Sequence, residues 1–390
     1  MNYTEKFFEL RNQFDGKAAE TTGDQDSIRI IQHPFTSEFG LMQPNERQEV
    51  ECDAHRMIIQ SDAAIEENRV FSFPVVLPQS SSRFSRAIIL LHGLNERSWH
   101  KYLPWAYSLA HSTNRPVILF PISFHMNRSP KEWGDPRAMI SLLKQRQSGV
   151  EPEMASFANV ALSLRLWEHP LRFFTSGRQS AEDIVSLIRQ IRGGGVSFLS
   201  ADTQVNFFAY SIGAFLSQIL FLANPYNLMS DSKLFIFGGG SLFSHMQGTS
   251  KLIMDSLAFR SLRRYYLIDF PKGARPKSPF ASYFASNPLG NAFRAMIAPS
   301  SLKMFREAMM QRISGQVRVM ALSRDRVIPA GAVESTFACV SKRLEGLVEV
   351  IDFPYDYTHE LPFPIYNNPN YQLVDQSFNR VFGAAADFLR

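Results

Sequence analysis

The sequence predicts an α/β fold, with a mostly parallel central sheet, helices on both faces and an inserted helical cap. Three observations predict it. Short continuous apolar runs recur at residues 87–91, 116–120, 205–209 and 234–237, and uninterrupted runs of this kind mark strands covered on both faces. Segments with helical spacing separate them, and strands that alternate with helices imply a parallel sheet. The run at 205–209 leads through one serine, Ser211, directly into a helix that is apolar nearly all round.

Taken in order, residues 1–54 read as a polar N-terminal extension with scattered aromatics and Gly-Asp-Gln-Asp turn material. It is expected to pack on the domain or to be partly mobile. Residues 55–390 form the main domain, since 390 residues that are 45% hydrophobic and 20% charged can fill one large core. Two β-rich runs, 57–60 and 70–76, flank a polar turn and predict an antiparallel pair at a sheet edge, where Pro74 is tolerated. A strand at 87–91 then ends at His92-Gly93, a helix follows over about 99–110, and the next strand is 116–120.

Ser180-Ala181-Glu182-Asp183 predicts a helix start, with Ser180 as its cap and acidic residues in the first turn. Ile184, Leu187, Ile188 and Ile191 continue it on one face. Further strands are expected at 205–209, 234–237, 317–322 and 348–353, with a helix at about 333–344 and a final amphipathic helix carrying Val374, Phe378, Val381 and Phe382. Two segments exceed this alternation and are expected to be insertions, at about 122–177 and 241–316. The second, with helical stretches near 252–266 and 302–313, is read as the cap over the carboxyl edge of the sheet.

Composition narrows the function classes. The formal charge of +5 comes from 41 basic and 36 acidic residues spread along the chain, with no polybasic block and no basic-aromatic pattern, so no nucleic-acid partner is expected. The two cysteines, Cys52 and Cys339, have no metal or redox spacing, and neither a disulfide framework nor a metal site is expected. The N-terminus lacks a secretory signal, and no apolar stretch reaches the ~18 residues of a membrane span. A cytoplasmic protein without stable membrane insertion is the expectation. The sequence carries no signal for an oligomeric state.

The chemistry concentrates in four places. Ala209-Tyr210-Ser211-Ile212-Gly213 sits between an apolar strand and an apolar helix, a setting in which a tight turn lifts a serine hydroxyl clear of the backbone. Asp325 follows a strand in Asp325-Arg326-Val327-Ile328-Pro329, and His359 follows the last strand in Tyr357-Thr358-His359-Glu360. His92-Gly93-Leu94-Asn95 follows the first central strand. Together these residues resemble the α/β-hydrolase superfamily over about residues 58–390, with the nucleophile elbow, the acid loop, the base and the His-Gly loop in the order that superfamily uses. Alanine at 209 replaces the commoner glycine.

The resemblance implies an α/β-hydrolase fold, no cofactor, Ser211 as nucleophile, Asp325 as the orienting acid and His359 as base. A serine hydroxyl is a poor nucleophile until a base takes its proton. Asp352 and Asp356 are rivals to Asp325 but lie too near His359 in the chain. The oxyanion of acyl transfer needs preorganised donors. The amide of Ile212 is one candidate, at a helix start where the dipole favours negative charge; Leu94 is the other, with Asn95 as competitor. His92, Gly93, Tyr210 and Gly213 are expected to support these turns.

The glycines Gly238-Gly239-Gly240 lack a phosphate-loop lysine and point to close backbone packing. Phe124, His125, Trp133, Phe243, Tyr265, Tyr266 and Phe284 could either line an acyl pocket or pack in the core. The reading is a serine hydrolase acting on a small-molecule ester or related acyl substrate. An amidase or peptidase of the same fold and an idle scaffold used for binding are the alternatives, because this fold hosts many activities.

Overall fold

The computed structural model describes residues 1–14, 20–22, 28–38, 58, 60–148, 152–273, 283, 286–341, 346–365 and 370–390. Among them, strands β1 (Glu20–Thr22), β2 (Ile28–Thr36), β3 (Val70–Pro78), β4 (Phe84–Leu91), β5 (Val117–Leu119), β6 (Leu199–Tyr210), β7 (Leu234–Phe237), β8 (Val317–Leu322) and β9 (Val348–Ile351) form one sheet. Its order is β1-β2-β3-β5-β4-β6-β7-β8-β9. The first three neighbouring pairs are antiparallel and all pairs from β5 onward are parallel.

The parallel strands are the apolar runs of the sequence. Ile88, Ile89, Leu90 and Leu91 of β4 and Phe207 and Phe208 of β6 are all fully buried. Alternate residues serve opposite faces, because successive strand side chains point to opposite sides. Ile89, Leu91, Phe207 and Ala209 join one core cluster, whereas Ile88, Leu90, Phe208 and Tyr210 join the other.

One face is covered by α1 (Tyr3–Gln13), α2 (Leu103–Thr113) and the C-terminal helix. Asn2 caps α1 by accepting from the Glu5 amide, and Tyr3, Phe7 and Leu10 bury one face of that helix. Helices α3 (Pro136–Gln147) and α4 (Val160–Glu168) build a satellite core around Trp133 and Met139. The opposite face of the sheet is covered by α5 (Leu171–Arg192), α6 (Ile212–Ala223) and α10 (Ala330–Ser341). Between them in the chain come α7 (Ser256–Arg264), α8 (Pro288–Ala295) and α9 (Lys303–Ile313), and α11 (Tyr371–Leu389) closes it. No helix of the described residues is long and apolar enough to cross a membrane.

Several local expectations are corrected. The partner of β3 is β2, from the segment read as an extension, with Ile30 opposite Val76 and Ile28 opposite Pro78; of the expected partner run, Met57 and Ile59 lie outside the described residues. Pro74 is opposite Gln32, inside the sheet. Ser180 does not start a helix: it is buried midway along α5, where its hydroxyl donates to the Ser176 carbonyl at 2.8 Å. That bond satisfies the hydroxyl inside the helix. Helix α2 begins at Leu103 rather than near Trp99, and α8 had not been anticipated. Cys52 lies outside the described residues.

Candidate active site

Strand β6 enters α6 through Ser211, whose φ of 55° and ψ of −121° are unusual for a residue with a side chain. The turn is held by neighbouring backbone. The Gly213 amide donates to the His92 carbonyl at 3.1 Å, and a Cβ on Gly213 would meet the Leu91 main chain at 2.8 Å. On the other side, a Cβ on Gly239 would stand 2.6 Å from that of Ala214. The three-glycine run therefore provides close packing against the turn. The Ser211 side chain does not cap α6.

His359 and Asp325 arrive from the loops after β9 and β8. The Ser211 hydroxyl lies 2.7 Å from His359 Nε2. His359 Nδ1 lies 2.7 Å from Asp325 Oδ2. The other oxygen, Asp325 Oδ1, accepts from the amides of Val327 and Ile328, each at 2.8 Å. A carboxylate held at both oxygens fixes the ring it faces. All three side chains are buried. The rival acids lie elsewhere: Asp352 pairs with Arg324 and accepts from Tyr357, and Asp356 is exposed beside Arg324.

The His-Gly loop runs beside this group. The Ile122 amide donates to His92 Nε2 at 3.0 Å, so His92 Nδ1 carries the proton it shares with the Gly93 carbonyl at 2.8 Å. Burial holds this imidazole well below the usual histidine range, with His125 nearby adding to the effect. The Gly93 amide donates to the Tyr102 hydroxyl at 2.9 Å, and that hydroxyl in turn donates to Glu96 at 2.8 Å. Burial, with Glu96 beside it, raises the Tyr102 phenol well above its ordinary range. Among the described residues the amides of Leu94 and Ile212 have no hydrogen-bond partner.

Asn95 has a φ of 61°. Its side-chain amide donates to the Ala158 carbonyl at 3.0 Å and the Leu252 carbonyl at 2.8 Å, tying the loop to both inserted segments. Tyr102, Glu96 and Lys101, which pairs with Glu96, were not anticipated as supports of this loop. No spacing rule links a loop amide to a phenol nine residues later. Of the aromatic candidates, His125 lines an apolar pocket that Leu94 also lines. Phe243 and Tyr266 are core, and Phe124 and Trp133 pack in the satellite cluster. Phe284 lies outside the described residues. Among the described residues no cluster of side chains suits a metal ion.

A mostly parallel sheet with a strained serine at the turn from a central strand into a helix is the α/β-hydrolase fold. A family profile matches residues 1–390 from end to end. The chain belongs to the family of unknown function DUF6051. No curated protein sequence matches this DUF6051 chain. Among solved structures, it is similar to one of two fungal esterases of Rhizomucor miehei, at 12% identity, with 100% of this chain and 97% of that chain covered and a TM-score of 0.45. Brefeldin A esterase, a bacterial homologue of human hormone sensitive lipase, is 12% identical over 100% of this chain and 85% of that chain, with a TM-score of 0.47. A hyperthermophilic esterase from the archaeon Pyrobaculum calidifontis is 10% identical over 98% of the DUF6051 chain and 90% of its own, with a TM-score of 0.45.

Proposed function

We propose that this protein is a serine hydrolase that cleaves carboxylic esters by acyl transfer. The observation that carries the proposal is the unbroken line from the Ser211 hydroxyl through both nitrogens of His359 to Asp325, with both contacts at 2.7 Å. Asp325 holds the ring in the tautomer whose Nε2 is bare. That nitrogen takes the Ser211 proton as the oxygen attacks the ester carbonyl.

The carbonyl oxygen becomes an oxyanion beside the amides of Ile212 and Leu94, where each donor commonly lowers the barrier by about 3 kcal/mol. His359 then gives its proton to the departing alcohol. A water molecule, deprotonated by the same nitrogen, attacks the acyl-enzyme, and His359 returns that proton to the Ser211 oxygen as the acid is released. No step requires a cofactor.

The test is labelling by a fluorophosphonate probe together with turnover of p-nitrophenyl esters, on the native protein and on Ser211→Ala. The native protein should label and turn over, and the variant should do neither. Folded native protein that stays unlabelled would return the chain to the idle-scaffold reading, and turnover that survives in Ser211→Ala would reassign the nucleophile.

A further inference from the structure

Resting on that reading, we infer that the substrate class is an ester of an aliphatic acid of medium length, and that the acyl chain lies along α6. A pocket that both Leu94 and Ile212 line has almost wholly apolar walls. Ile212, Phe215, Leu216 and Ile219 all line it, and positions i, i+3, i+4 and i+7 share one face of a helix. Those four residues span about 10 Å of the helix, about the length of an extended chain of eight carbons.

Gly177 and Ala181 of α5 and Leu289 and Phe293 of α8 also line it. Gly177 is instructive. It stands inside a 22-residue helix, where glycine costs about 1 kcal/mol relative to alanine. A Cβ there would meet no atom of the described residues within 4 Å. Packing does not demand the glycine, and the space a side chain would enter there is open.

The geometry also assigns which half of the ester enters. The departing alcohol must lie on the His359 side to receive its proton. Neither Ser211 nor any residue of the His359 loop lines this pocket, whereas Leu94 and Ile212, on the oxyanion side, do. The acyl half takes it.

The experiment is a series of p-nitrophenyl esters from acetate to palmitate, compared with ethyl octanoate and octyl acetate, on the native protein and on Gly177→Leu. For the native protein kcat/KM should rise about fourfold per methylene toward octanoate and then level, with ethyl octanoate preferred to octyl acetate. In Gly177→Leu the octanoate-to-acetate ratio should fall about tenfold or more. A flat or falling acyl series in native protein that labels with fluorophosphonate would overturn the inference while leaving the hydrolase reading intact. An unchanged ratio in folded Gly177→Leu would do the same. Absence of both labelling and turnover would instead sink the reading on which it rests. The acyl series needs only native protein, so it decides the matter even if the variant does not fold.

Discussion

The phenol of Tyr210 donates its hydrogen bond to the backbone carbonyl of His359, so the residue before the proposed nucleophile also anchors the main chain of the proposed base. The two rings stack, with centroids 5.4 Å apart and planes 16° apart. Burial, reinforced by the nearby carboxylates of Glu96, Asp325 and Glu360, raises the phenol well above its ordinary range and keeps it a donor. Tyr210→Phe keeps the stacking and removes the bond. We expect kcat to fall about tenfold, the equivalent of one hydrogen bond, with KM nearly unchanged. Steady-state kinetics on one ester checks this, and an equal rise in KM would point to a disturbed pocket instead.

Asp325→Asn should be far more damaging to rate than to stability. Its Oδ1 can still accept from the Val327 and Ile328 amides, but an amide nitrogen facing His359 Nδ1 favours the wrong tautomer. A loss of about 10⁴ in kcat is expected, with a melting temperature close to native. Asp352→Asn, which touches Arg324 and Tyr357 instead, should stay near native in rate. Comparable losses in the two variants would contradict the assignment.

Gly213→Ala tests the turn itself. The added methyl meets Leu91 main-chain atoms at 2.8 Å, and backbone cannot rotate away as a flexible side chain would. Overpacking of this kind costs about 1–3 kcal/mol, readable as a lowered urea midpoint. Gly177→Ala, in open space, should instead hold or raise the midpoint, since alanine favours the helix.

Acid should destabilise the protein through two buried imidazoles. Burial pushes His125 down to about 4 and holds His92 well below the usual range. In the unfolded chain both titrate near 6.5. Between those values the unfolded chain binds protons that the folded one refuses, so this contribution is complete above about pH 6.5 and lost as pH falls toward about 4. For His125 the loss is on the order of 3 kcal/mol. Urea midpoints at pH 7.5, 6 and 5 should fall in sequence, and His125→Asn, which can still donate to the Ser123 carbonyl, should flatten the slope.

What could be read from the sequence was whatever local chemistry dictates. The apolar run into Ser211, the strand ending at His92-Gly93 and the loop Asp325-x-Val-Ile-Pro each announce themselves within a few residues. Their meeting was inferable only from the order in which they occur. Pairing of β3 with β2 was not legible, because strand partners are chosen by distant segments and the alternation in 28–36 is interrupted by Gln32 and His33. Ser180 misled because a serine before acidic residues reads as a cap, and only tertiary packing shows that the helix began nine residues earlier at Leu171. The anchoring role of the Asn95 side chain was hidden for the same reason, because it donates to carbonyls 63 and 157 residues away.

Strand β2 has a practical consequence. It occupies the whole length of β3, nine residues from Val70 to Pro78, while β5 touches only two residues on the far side. A shortened version starting near residue 55 would therefore bare a long ladder of unsatisfied amides and carbonyls, ready to recruit the same strand from a neighbouring molecule. Such a fragment would be expected to precipitate or polymerise, however sound its chemistry, and any expression or fusion design should keep the first 36 residues attached.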